Sequence, residues 1–161
     1  MTIKIIFIIL LFFTYVLPEL NHPKARFWWQ IFCMKMTFLC SGQHQKNVRI
    51  VTYDYTAGIY SKVGYQNLGN SSYISYCGLL DGLFKFHPYL YIYHQCNETN
   101  PMCEKEIYFQ IPKEYVFWGT NATKTYVDNK FELNKTYKGE MRQCIIKGKL
   151  IKNVPYGKES S

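Results

Sequence analysis

The sequence predicts an all-β fold, an antiparallel β-sandwich, on three observations. The first is strict alternation. In Tyr89–His94, Leu90 and Ile92 share one face and Tyr89, Tyr91 and Tyr93 the other; in Glu106–Ile111, Ile107, Phe109 and Ile111 oppose Glu106, Tyr108 and Gln110. The second is an aromatic content of 15 Tyr, 11 Phe and 3 Trp in 161 residues, which suits strands with one packed and one wetted face. The third is punctuation by proline and glycine: Pro88 and Pro112 bound these two runs, since proline cannot donate to a ladder.

Taken in chain order, Met34–Cys40 reads as a first strand, ended by Ser41-Gly42. Val48–Tyr55 reads as its hairpin partner across Gln43–Asn47. Thr56–Asn70 is rich in glycine and polar residues and reads as a loop; Tyr73–Cys77 is a short strand, with a turn at Leu79–Gly82. Tyr89–His94 and Glu106–Ile111 pair as a hairpin around the polar loop Gln95–Glu104. A long loop, Lys113–Asp128, leads to Phe131–Asn134, with Phe131 and Leu133 inward, and Ile145–Ile151 is a last, more basic strand. One domain suits this length.

The N-terminus sets the compartment. Lys4 precedes an apolar run from Ile5 to Phe13 that continues to Leu17, too short for the ~20 residues of a spanning helix and consistent with a signal peptide; an uncleaved anchor is the alternative. The organisation expected is a signal segment over 1–20, a lead-in over 21–33 containing Phe27-Trp28-Trp29, a β domain over 34–151 and a tail over 152–161. Four N-X-Ser/Thr sequons, at Asn70, Asn97, Asn121 and Asn134, point the same way, to an extracellular glycoprotein.

Six cysteines, Cys33, Cys40, Cys77, Cys96, Cys103 and Cys144, fit disulfides in an oxidising compartment; six allow 15 pairings, among which spacing alone does not choose. The hairpin brings the ends of the Gln95–Glu104 loop together, so a Cys96–Cys103 bridge is expected. Zinc is not: the close cysteine pairs are separated by six residues and the four histidines form no ligand pair. No cofactor or metal is expected.

The net charge is +8, and from Asn129 onward seven Lys and one Arg face three Glu. Lys135, Lys138, Lys147, Lys149 and Lys152 are the candidates for a patch that meets an anionic lipid or glycan surface; a plain solvated face is the alternative, and the compartment argues against nucleic acid.

Several blocks together resemble the nematode transthyretin-like family of secreted β-sandwich proteins. Cys40-Ser41-Gly42, Asn47-Val48-Arg49-Ile50 and Tyr53-Asp54 match its first strands. Pro88, Leu90, Ile92, Tyr93, His94 and Cys96 match its Pro-X-Leu-X-Ile-Tyr-His-X-Cys block, and Cys103, Ile107, Ile111, Pro112, Tyr115 and Gly119 the strand that follows. Tyr126, Phe131-Glu132-Leu133 and Gly139–Cys144 match its terminal segment. The resemblance covers about Met34–Cys144 and implies a transthyretin-like sandwich. Its four-cysteine pattern, with Cys96 and Cys103 bridged, implies Cys40 joined to Cys144. Cys33 and Cys77 are extra to that pattern, either joined to each other or with one left free. Leu68–Tyr73 departs from the family's usual Asp- and Gly-rich turn.

Catalysis has two candidates. His94 and Cys96 share a strand face, but an oxidised sulfur is no nucleophile, and His94 reads better as a hydrogen-bonded residue at a strand end. The transthyretin-fold hydrolases of an oxidised purine intermediate need a His/Arg constellation and a Tyr-Arg-Gly-Ser-type C-terminus. This chain ends Tyr156-Gly157-Lys158-Glu159-Ser160-Ser161 and has only Arg26, Arg49 and Arg142. What remains is a non-enzymatic carrier or bridging protein acting through loops, the tyrosine row and the basic third, with an extracellular protein, a lipophilic ligand or an anionic cell surface as partner. Neither a transmembrane helix nor a particular oligomeric state is implied.

Overall fold

The period-two pattern begins earlier than the apolar residues suggest, because the first core position is a glutamine. In a computed structural model that describes residues 28–56 and 58–154, the first strand buries Gln30, Phe32, Met34, Met36 and Phe38 on one face. The Gln30 amide is satisfied from across the molecule: Nε2 donates to the carbonyls of Phe84 (2.7 Å) and Gly82 (3.2 Å), and Oε1 accepts from the Phe86 amide (2.8 Å). A buried polar group so partnered costs little. The expected signal segment 1–20, the lead-in as far as residue 27 and the tail from residue 155 lie outside the described residues.

Among the described residues the strands are β1 (Trp29–Cys40), β2 (Gln43–His44), β3 (Arg49–Thr56), β4 (Ile59–Asn67), β5 (Tyr73–Asp81), β6 (Pro88–His94), β7 (Cys103–Gln110), β8 (Val116–Trp118), β9 (Thr125–Glu132), β10 (Met141–Ile146) and β11 (Lys149–Lys152), with one turn of 3-10 helix at Lys113–Tyr115. They form two sheets, and the fold is the expected all-β sandwich. The six-stranded sheet runs β11-β10-β7-β6-β3-β4, antiparallel throughout. In the five-stranded sheet β1 is the hub, antiparallel to β2, β5 and β8 and parallel to β9. The core between the sheets takes Phe32, Phe38 and Phe131 from one and Ile50, Leu90, Ile92 and Ile107 from the other.

Four expectations need correction. The first strand begins at Trp29, five residues before Met34, because Gln30 hides the start of the alternation. That strand and the one beginning at Arg49 are not a hairpin: β1 turns at Ser41-Gly42 onto the two-residue β2, and β3 pairs with β4 and β6 in the other sheet. The expected loop Thr56–Asn70 is largely β4, an edge strand whose residues are mostly exposed on both faces and so carry no hydrophobic period. Finally, Ile145–Ile151 is a tight hairpin of β10 and β11, reversed at Lys147 (φ 50°) and Gly148 (φ 75°), the paired left-handed residues of a two-residue turn.

The β1–β5 ladder sets Phe32 opposite Gly78, and a Cβ on Gly78 would overlap the Phe32 ring. Glycine here is a packing requirement. Gly78→Ala is therefore expected to cost about 1–3 kcal/mol, read as a lower denaturation midpoint, and Phe32→Leu in the same chain should recover part of the loss. A G78A protein as stable as the wild type would contradict this packing.

Candidate functional site: the outer face of the six-stranded sheet

The alternation that buries Ile50, Leu90, Ile92 and Ile107 turns Tyr53, Tyr55, Tyr89, Tyr91, Tyr93 and Tyr108 to the opposite face of the same sheet. There the rings form a continuous pavement. Tyr89 stacks on Tyr108 with centroids 5.1 Å apart, Tyr91 meets Tyr108 edge-on at 5.8 Å and Tyr53 at 5.2 Å, and Tyr60 from β4 closes on both Tyr55 (4.5 Å) and Tyr53 (6.5 Å). Burial, with a hydrogen bond to Tyr89, pushes the Tyr108 phenol up to about 12, so it is neutral at physiological pH.

Polar groups are set into this pavement at its β7–β10–β11 side. Arg49 lies 5.1 Å from the centroid of Tyr93 and ion-pairs with Glu104, which also accepts from Gln143 Nε2 at 2.6 Å. Glu106 is nearly closed off, its side chain 3 % exposed, and faces the Lys152 ammonium at 3.3 Å. An open recess of about 660 Å³ lies beside Arg49, Gln95, Met102 and Leu150.

The cysteines are all bridged, but not as expected. Cys40 joins Cys96 and so ties the two sheets together, Cys103 joins Cys144, and Cys33 joins Cys77. Register explains the correction to Cys96–Cys103 and Cys40–Cys144. β7 starts at Cys103, not Glu106, which sets Cys103 directly opposite Cys144 on β10 with Cα atoms 4.0 Å apart, while Cys96 turns into the intersheet core. Cys33 and Cys77 are likewise direct cross-strand partners.

His94 is buried. Its Nδ1 accepts from the Cys96 amide at 3.1 Å, and burial, with Lys105 nearby, lowers its pKa to about 4. It props the turn after β6, and the adjacent sulfur is bonded to Cys40.

The four sequon asparagines are exposed. Asn70, Asn97 and Asn134 lie in loops at the Cys40 end of the sandwich, where Asn134 Nδ2 donates to Ser41 Oγ at 3.1 Å; Asn121 lies at the other end, beyond Gly119, whose amide donates to the Trp29 carbonyl. The five lysines do not form one patch. Lys135 and Lys138 precede β10 while Lys147 and Lys149 follow it, so the length of that strand, ~17 Å, separates the pairs, and Lys152 turns to Glu106. Among the described residues no three His, Cys, Asp or Glu gather to hold a metal ion, and no helix is long and apolar enough to cross a membrane.

Sequence reasoning missed one polar structure altogether. Arg142 on β10 grips Glu98 in the β6–β7 loop with two bonds, Nε to Oε2 at 2.6 Å and Nη2 to Oε1 at 2.8 Å. The side chains are 7 % and 0 % exposed. Neither residue carries a signal until the loop is known to fold over β10.

The two sheets and three disulfides make this a transthyretin-like sandwich. A model of the transthyretin-like family matches residues 37–112. The chain is similar to two proteins of Caenorhabditis elegans. Transthyretin-like protein 2 is 36% identical over 58 residues, 36% of this chain and 39% of that protein; transthyretin-like protein 5 is 26% identical over 110 residues, 66% of this chain and 78% of that protein. The chain thus spans about two fifths of the first relative's length.

Proposed function

We propose that this is an extracellular, non-catalytic binding protein that carries or bridges partners through the tyrosine-paved face. The observation that carries the reading is the pavement itself: tyrosine offers large, rigid, amphipathic contact area at low entropic cost, which is why it concentrates in recognition surfaces. The exposed sequons and the three disulfides support an oxidising, extracellular setting. The test uses the glycosylated, oxidised protein as bait for secreted and cell-surface proteins, beside a Tyr55→Ser/Tyr108→Ser variant whose changes fall on exposed positions. Partners held by the wild type should be lost by the variant, each central tyrosine contributing about 1–2 kcal/mol. An unchanged set of partners would overturn the reading.

A second reading, contact with a lipid surface, is favoured by the end of the sandwich opposite Cys40. There Trp28, Leu83, Phe84 and Trp118 are exposed around the start of β1, alongside Lys85 and Lys113. Aromatic side chains rimmed by lysine suit a membrane interface. Leu83→Ser/Phe84→Ser should abolish co-sedimentation with anionic vesicles more completely than Lys147→Gln/Lys149→Gln. Equal binding by the wild type and the Leu83/Phe84 variant would remove this reading. No feature of the site favours a hydrolase.

A further inference from the structure

Within the tyrosine face, one recess has walls of unlike kind. Tyr53, Tyr60, Tyr91, Tyr93, Glu106 and Lys152 line an open hollow of about 260 Å³. Tyr53 stands nearly perpendicular to both Tyr91 (76°) and Tyr60 (80°), so the rings form sides of a box rather than a flat stack. At its base is the Glu106 carboxylate, delivered by β7 opposite Tyr93 and 3 % exposed. The Tyr93 phenol shares that carboxylate, and burial together with the negative charge raises its pKa.

A carboxylate closed off among aromatic rings calls for a cation, because burial penalises an unpaired charge and ring faces attract positive groups. The chain supplies one of its own: Lys152, at the end of the exposed edge strand β11, reaches in to 3.3 Å while 52 % of its side chain stays in solvent. Such an occupant is exchangeable. Its charge regains full hydration on leaving, and β11 holds it only through the ladder to β10.

We infer that the Tyr53–Tyr60–Tyr91–Tyr93 box with Glu106 at its base is a binding site for a quaternary ammonium group of the choline type, which displaces Lys152. The choice of a quaternary over a primary ammonium follows from the walls. Methylated nitrogen spreads its charge over an apolar surface that packs on the four rings and loses little hydration, whereas a strongly hydrated primary ammonium such as Lys152 meets Glu106 and stays half in solvent. The same group occurs free or as a lipid headgroup, and both sources are tested. This inference rests on the tyrosine face being the working surface of the molecule.

The experiment is calorimetric titration of the folded, oxidised protein with choline, with its neutral isostere 3,3-dimethyl-1-butanol, and with phosphatidylcholine vesicles. Choline should bind one to one and the isostere about tenfold more weakly or not at all. Lys152→Gln, which removes the competitor, should bind choline several-fold more tightly; Glu106→Gln should abolish binding. Because Glu106 is buried and its variant is at risk of misfolding, Tyr60→Ser, at an exposed wall position, provides the second loss. Heat with choline alone assigns the free cation, and heat with vesicles as well assigns the headgroup. Equal binding of choline and its isostere, weaker binding by the Lys152 variant, or no saturable binding by either protein would overturn the site. Protein capture through Tyr55 and Tyr108 is read separately, so a failed titration leaves the binding-protein reading standing.

Discussion

Replacing Arg142 with methionine is expected to lower stability by about 3–5 kcal/mol, the cost of stranding a buried carboxylate, although the methionine fills most of the same space. Glu98 is fully enclosed, and the charge-assisted bonds from Arg142 hold its carboxyl below the ordinary carboxylate range. The double variant Glu98→Gln/Arg142→Met should recover most of the loss, since no unpaired charge remains, and it keeps the sequon at Asn97 intact. Urea denaturation of the wild type, Glu98→Gln, Arg142→Met and the double variant gives the cycle. The sign with pH follows from the depressed pKa: the pair's contribution is complete above the ordinary glutamate value of 4.5 and is lost as pH falls through the lower folded-state value. Additive losses in the double variant would contradict a coupled pair.

The second large effect is an acid sensitivity that begins earlier. His94 takes up its proton near pH 4 in the folded protein against 6.5 when exposed, so between those values the unfolded chain binds a proton that the folded one refuses. Stability therefore rises with pH through this window and is flat above it with respect to His94. The total is about 3 kcal/mol for a shift of this size. Thermal midpoints measured from pH 7 to pH 5, above the range in which Glu98 titrates, should fall along this slope in the wild type, and His94→Asn should lose most of that slope whatever its absolute stability. A His94→Asn protein with the wild-type slope would assign the effect elsewhere.

Legibility in the sequence followed burial. The β6–β7 hairpin was readable because both strands pack one face only, so every second residue is apolar. The edge strand β4 was not, since it is solvated on both faces and Tyr60 and Tyr65 belong to no inward stripe. Gln30 disguised the start of β1, because a glutamine whose amide is met by three backbone groups behaves as a core residue while scoring as a polar one. The tyrosine row of β6 was visible as parity. The box was not, for it needs the joint register of β3, β4, β6, β7 and β11, five segments that no local pattern relates. Bridge pairing failed for the same reason: loop length favours Cys103 with Cys96, while the ladder sets Cys103 opposite Cys144.

The parallel union of β1 with β9 bears on how the chain is made. Cys33 pairs with Thr125 and Leu39 with Glu132, so the first strand to emerge waits some ninety residues for its last neighbour, roughly 5–20 s at ordinary rates of synthesis. Throughout that interval its apolar face has no finished sheet to lie in. Its two thiols are seven positions apart, whereas their proper partners follow 44 and 56 residues later, so in an oxidising compartment the earliest bridge open to the nascent chain, Cys33 to Cys40, is a wrong one. Wherever that first bridge forms, reaching the native pairing requires thiol–disulfide exchange.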